Sequence, residues 1–308
     1  VSAAACAAAG GKLAEGESTA AFLPDGTLLF TAKRTDPEAK KDDQAPDGAA
    51  LWSLPASGGE ARLLAAPPAG VGSVKIARDS GTVVLAANVH PRSADLAEDA
   101  ERRKARKDAD VTAILHEASQ IRLWDHQLGP DATRLFTLVP PPATSTDRAE
   151  LTDVTGDVGF AIETFDVTPD GTTIVTDWQT QISEGDYDYD LAAIDVATGK
   201  RTTLARRDNA EYFNPIVSPD GRWVIAGSHD PGTYESAHRR RLWLQPLDGG
   251  EGYDPTPDLD LWPHAHAWSH DSASVYFTAD EVGHHPVFQL DVASGTVTRL
   301  TGDHGAGT

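Results

Sequence analysis

Residues 211–227, EYFNPIVSPDGRWVIAG, set an apolar, β-branched run on either side of Pro219-Asp220-Gly221. Pro fixes φ at the first central position, Asp bonds back to the chain and Gly accepts positive φ, so the turn closes tightly between two strands. A second hairpin follows, with RLWLQ at 241–245 running into Asp248-Gly249-Gly250. Two hairpins in some fifty residues form a four-stranded meander.

Working outward, the same turn recurs as Pro24-Asp25-Gly26, Arg78-Asp79-Ser80-Gly81, Pro169-Asp170-Gly171 and His270-Asp271-Ser272. Successive turn aspartates stand 54, 91, 50 and 51 residues apart, the long gap being one period plus an insertion of about 41. Each turn leads into a β-rich run: TLLFTA (27–32), TVVLAA (82–87), TTIVTD (172–177), RWVIAG (222–227) and SVYFTA (274–279). The predicted third strands are LWSLP (51–55), IRLWD (121–125), LAAID (191–195), RLWLQ and VFQLD (287–291). Repeats at this period with four strands each are the sequence form of a β-propeller. The expected fold is therefore all-β, a propeller of four-stranded antiparallel blades. Its repeats fall near 20–65, 72–138 with a helical insertion at 92–118, 160–205, 212–250 and 264–301.

The insertion carries the one clear helical pattern, over 95–108. Asp95 is the expected N-cap with Glu98 three residues on, and Glu98–Arg102 and Asp99–Arg103 are i,i+4 pairs. The basic cluster Arg102, Arg103, Lys104, Arg106 and Lys107 has two readings: a solvated helix covering a blade edge, or a docking surface.

Asp and Glu number 47 against 26 Lys and Arg, a formal net charge of −21. That balance disfavours nucleic acid and anionic membranes, both of which need clustered cations. Cys6 stands alone, which excludes an intrachain disulfide and a cysteine-based zinc site. No apolar run reaches the length of a membrane span, and no targeting segment is visible, so the expected location is cytoplasmic. The chain has no methionine, even at position 1, and is expected to be a processed product or a fragment.

TAKRTDPEA (31–39), LWSLPASGGEARLL (51–64) and a charged helix running into ILHEASQIRLWDHQLGPDATRLF (114–136) form one recognisable series. With EYFNPIVSPDGRWV (211–224) and VFQLDVASGTVTRLT (287–301), it resembles the propeller of bacterial serine peptidases of the prolyl-oligopeptidase family. The acylaminoacyl-peptidase and dipeptidyl-peptidase-like branch is the nearest, and the likeness covers roughly residues 20–301. The resemblance implies a seven-bladed ring of which five repeats are visible. It also implies a following α/β-hydrolase domain bearing Ser, Asp and His, whose access the propeller screens.

No G-x-S-x-G elbow occurs; the nearest stretch, Ala226-Gly227-Ser228-His229-Asp230, lacks the second glycine and is expected to be a turn. Consecutive Ser, His and Asp cannot take up the triad geometry. The chain itself is accordingly expected to hold no catalytic residues and to act as the substrate-gating part of a peptidase that hydrolyses short peptides. Its implied partners are a hydrolase domain, in the same protein or a separate chain, and peptide substrates; a homo-oligomer is compatible with this. The alternative is a stand-alone propeller scaffold that binds proteins on its rim. A propeller enzyme with its own central site lacks convergent acid and base residues.

Glu15, Glu17, Glu163 and Glu211 each precede the first strand of a repeat, where carboxylates can meet a peptide α-ammonium. Glu163 and Glu211 are the substrate-binding candidates. His264 and His266 are expected on one strand face, as a metal pair requires, with His284 and His285 nearby in sequence; packing by Trp262 and Trp268 is the competing reading. Asp186, Asp188 and Asp190 open like a calcium loop, but Leu191 replaces its glycine and no Glu closes it, so a strand is expected. Gly70-Val71-Gly72-Ser73 lacks the lysine of a phosphate loop. No cofactor or metal is assigned.

Overall fold

The computed structural model describes residues 18–34, 48–115, 122–123, 126–127, 129, 131–141, 147–156, 162, 164–183, 186–208 and 210–302. Blade one is β1 (Ser18–Phe22), β2 (Leu28–Ala32), β3 (Ala50–Leu54) and β4 (Arg62–Ala65). Blade two starts with β5 (Val71–Ile76) and β6 (Val83–Val89). It is then interrupted by helix α1 (Leu96–Asp108) and a short hairpin, β7 (Arg122–Leu123) with β8 (His126–Gln127). It resumes as β9 (Ala132–Leu138) and β10 (Thr152–Asp153). Blade three is β11 (Phe165–Val167), β12 (Thr173–Ser183), β13 (Asp186–Asp195) and β14 (Arg201–Ala205). Blade four is β15 (Glu211–Val217), β16 (Trp223–Asp230) and β17 (Arg239–Pro246). Its fourth strand is reduced to one bridge, Leu244 with Tyr253. Blade five is β18 (Pro263–Trp268), β19 (Ser274–Ala279), β20 (Val287–Asp291) and β21 (Val297–Arg299). All pairings are antiparallel between successive strands of a blade, which is the propeller meander.

Packing divides the chain into two compact units, 1–161 with 196–199, and 162–195 with 200–308. In the first, Leu29, Leu51, Val74, Val83, Leu85 and Phe136 form one buried cluster between blades one and two. Phe30 and Trp52 pack on the other side of blade one. In the second, Val175, Leu191, Tyr212 and Val224 join blades three and four, while Ile225, Leu242, Leu244, Phe277 and Leu290 join blades four and five. The strand 223–230 sends alternate residues into two different clusters, so both faces must be apolar.

The turn between the first and second strands is constant in design. It spans 23–27, 77–82, 168–172, 218–222 and 269–273, whereas the connection from second to third strand varies from 184–185 to 90–131. In blades three to five a hydroxyl two residues before the turn aspartate completes it. Thr168, Ser218 and Ser269 each donate to Asp170, Asp220 and Asp271 at 2.6 Å, and accept the N–H of the strand residue beyond. Neighbouring turns touch: Asp220 N–H donates to Ser272 Oγ at 3.0 Å, and a Cβ on Gly221 (φ +72°) meets Pro169 Cδ at 3.3 Å.

Three expectations are corrected. IRLWD at 121–125 is not the third strand of blade two; Ala132–Leu138 is, pairing all seven residues of Val83–Val89. Its Leu135, Phe136 and Leu138 supply the buried side chains that the apolar β6 needs, so the interruption runs from 90 to 131 rather than 92–118. Ala226–Asp230 is not a turn but the second half of β16. Gly70, just before β5, lies in close backbone contact with Gly48, where a Cβ at Gly70 falls 2.5 Å from Gly48 Cα.

The helix is capped as its sequence dictates. Asp95 accepts the Glu98 N–H at 2.8 Å, and Glu98 reaches back to the Ala94 N–H at 2.8 Å. Its three arginines bond back to the fold, while Lys104 and Lys107 stay exposed. Arg102 bonds Glu98 and the Arg92 carbonyl; Arg103 bridges Asp99 (2.8 Å) and Asp131 (2.7 Å); Arg106 donates to the Ala113 carbonyl. These contacts make α1 part of the fabric of blade two.

Candidate functional site

The end of blade four remote from its Pro-Asp-Gly turn gathers polar side chains from four segments. Glu211 opens β15 and stands directly opposite His229 on β16, nine residues to either side of Asp220. Glu211 Oε2 lies 3.2 Å from His229 Nδ1, with both side chains partly exposed. His229 Nε2 lies 3.5 Å from Nδ1 of His238, in the loop before β17, and the His238 ring meets Trp262 edge-on at 4.5 Å.

Next to this row runs an ion-pair network. Asp230 takes Arg207 at 3.2 Å and Arg241 at 3.6 Å, and Arg241 also reaches Asp254 at 3.1 Å. Arg207 lies over Trp243, and Arg240 over Phe213. Arg239–Arg241 line a small cleft against Asp254, Asp260 and Trp262. Behind these groups Tyr212 is buried, and burial pushes its phenol pKa up. The row thus offers one carboxylate and two imidazoles at the surface, backed by a rigid, largely neutralised frame.

Ser228, His229 and Asp230 occupy successive positions of one strand, so they alternate between its faces. Ser228 Oγ is buried and makes no hydrogen bond, His229 faces Glu211, and Asp230 faces the arginines. No nucleophile–base pair forms among these three. Gly227 is required by packing: a Cβ there falls 2.2 Å from the Phe213 ring.

Glu15, Glu17 and Glu163 lie outside the described residues. His264 and His266 do not act together, because the register slips between Pro263 and His266. His266 Nε2 donates to the Asn214 carbonyl at 2.8 Å, and burial lowers its pKa. His264 instead faces Asp280 at 3.6 Å, which also holds His285 at 2.7 Å; this His285 contact draws the Asp280 pKa down. Asp186–Asp190 belong to the long strand β13, where Asp190 pairs with Arg206 and Tyr189 accepts from Gln179. Among the described residues no three His, Cys, Asp or Glu side chains converge as a metal set.

Of the two substrate-binding candidates only Glu211 lies among the described residues, and sequence reasoning did not pair it with His229 or place His238, Arg241 and Asp254 around them. The equal spacing of Glu211 and His229 about Asp220 was the available signal for the first pair; the loop residues left none.

No protein-family model matches the sequence, and a search of curated proteins finds no match. Solved structures do. An acylaminoacyl peptidase from Pyrococcus horikoshii is similar at TM-score 0.60 and 15% identity, covering 94% of this chain and 39% of that one. The β-propeller domain of the Trilobed protease from Pyrococcus furiosus is similar at TM-score 0.55 and 12% identity, covering 92% and 70%. An Agrobacterium tumefaciens protein assigned as TolB is similar at TM-score 0.50 and 17% identity, covering 92% and 79%. The fold is that of these propellers.

Proposed function

We propose that the chain is the non-catalytic, substrate-gating propeller of a serine peptidase that hydrolyses short peptides, acting with an α/β-hydrolase domain in the same protein or on a separate chain. The observation that carries this reading is the likeness to acylaminoacyl peptidase, which spans nearly all of this chain but 39% of the peptidase. The buried, unpaired Ser228 is in keeping with a propeller that leaves bond cleavage to another domain. Glu211, and with it Glu163, is the proposed contact for the substrate's free α-ammonium. His229 holds the Glu211 carboxylate in place while leaving it partly open to solvent. A cytoplasmic location accords with the sequence, and among the described residues no helix is long and apolar enough to cross a membrane.

The test is native mass and serine labelling. Under this reading the native gene product, or a co-purifying chain, carries a fluorophosphonate-reactive serine outside residues 1–308, and these residues alone stay unlabelled. In the active protein, Glu211→Gln raises KM about tenfold for peptides with a free amino terminus and leaves N-acylated ones unchanged, the scale of one charge-assisted hydrogen bond. A native product without a labelled serine and without a labelled co-purifying chain overturns the peptidase reading. The second reading, a stand-alone interaction scaffold, is favoured by the TolB likeness, which takes in 79% of that chain.

A further inference from the structure

We infer that His229 and His238 form a binding site for a transition-metal ion, with Glu211 as the outer group that orients the inner histidine. The inference is independent of the peptidase reading. Two nitrogens bound to one tetrahedral zinc at 2.0–2.1 Å stand about 3.3–3.4 Å apart. His229 Nε2 and His238 Nδ1 are 3.5 Å apart, with the rings 76° from coplanar, so the two sp² nitrogens already approach the bite of one ion.

Glu211 fixes the tautomer. Its carboxylate can only accept from His229 Nδ1, which places the proton there and the free lone pair on Nε2, toward His238. A carboxylate behind a ligating imidazole is the usual support of a histidine metal ligand, and it raises the basicity of the ring. Without a metal, His238 in its Nδ1–H tautomer donates to the His229 Nε2 lone pair, and an ion takes the place of that proton. The edge of Trp262 holds the His238 ring from the other side.

The chemistry selects the ion. Two imidazoles, with no third protein ligand among the described residues, leave the remaining positions to water or a small ligand, and imidazole prefers Cu²⁺, Ni²⁺ and Zn²⁺ over Mg²⁺ or Ca²⁺. Of the nearby cations, Arg207 and Arg241 are drawn toward Asp230 and Asp254, and Arg240, directly across the strand pair from His229, lies over the Phe213 ring. His264 and His285 make the contrasting pair, since each faces Asp280 rather than the other's nitrogen.

The experiment is calorimetric titration of the purified chain with ZnCl2, with MgCl2 as control, in the wild type, His238→Ala and the double variant His264→Ala/His285→Ala. His238 is exposed, so its removal leaves the fold intact. The expected result is a zinc site whose affinity falls tenfold or more in His238→Ala and stays unchanged in the double variant, with no heat from magnesium. A wild type that binds no zinc overturns the inference. So does a His238→Ala variant weakened less than tenfold, or a zinc site lost in the double variant.

Discussion

The Asp99 carboxylate, fully buried on α1, accepts the backbone N–H of His90 at 2.9 Å and so ties the helix to the end of β6. The same carboxylate holds Arg103, which spans onward to Asp131 just before β9. Asp99→Ala leaves the part-buried His90 N–H without its acceptor and removes one of the two carboxylates that hold Arg103, and is expected to cost about 2 kcal/mol. Lys107→Ala on the outer face stays within about 0.5 kcal/mol of the wild type. Urea denaturation measures both. Equal midpoints for Asp99→Ala and the wild type mean that the helix is an ornament, not a support.

The turn aspartates set a pH dependence. Asp170 is held below the usual carboxylate range chiefly by the Thr168 hydroxyl, Asp271 by that of Ser269 and Asp291 by that of Ser294. A folded pKa below the unfolded value of about 3.9 means that stabilisation is present above that pH and is lost as the pH falls toward the folded value. Thermal melts of wild type and Asp170→Asn should therefore differ most above pH 5 and converge below pH 4. A gap that widens in acid refutes the assignment.

Gly227 and Phe213 are coupled by space. Gly227→Ala drives its methyl into the Phe213 ring and is expected to destabilise by about 1–3 kcal/mol. Phe213→Leu in the same chain should recover part of that loss, giving a double-mutant coupling of at least about 0.5 kcal/mol. Simple additivity in chemical denaturation would show that the strand relaxes elsewhere.

Val282 sits at the tip of the β19–β20 hairpin with φ +47°, followed by Gly283 at +80°, and is almost wholly exposed. A two-residue turn with both φ positive favours Asn-Gly, and a β-branched residue there is strained. Val282→Asn is expected to stabilise by about 1 kcal/mol, read as a rise in melting temperature. An unchanged or lower melting point contradicts the strain.

The propeller was legible because its period is written in local chemistry: Pro-Asp-Gly turns and the β-branched runs after them need no tertiary information. The hydroxyl partners Thr168, Ser218 and Ser269 were legible too, two residues ahead of each aspartate, yet went unnoticed beside the more familiar turn residues. The third strand of blade two was not, because IRLWD and ATRLFTL are both plausible strands, and only pairing with Val83–Val89 decides between them. The placing of His264 and His266 on one face rested on strict alternation, which holds only while the register is unbroken, and here the register slips between Pro263 and His266. The pairing of Glu211 with His229 follows from their equal spacing about Asp220, whereas the place of His238 and Trp262 depends on how loops 231–238 and 254–262 fold back, which spacing does not encode.

Each blade has one end held to five or six residues of turn and another whose connections run from the short link between β12 and β13 to the long one between β6 and β9 that carries α1. Growth of the chain is therefore polarised. Foreign sequence spliced beside Tyr234, whose side chain is fully in solvent, disturbs only the local Thr233–Ser236 turn, whereas a single residue added beside Asp220 parts it from Ser272 in the next blade. Descendants of such a chain can diversify what they touch at the permissive end while the opposite end keeps the blades in step.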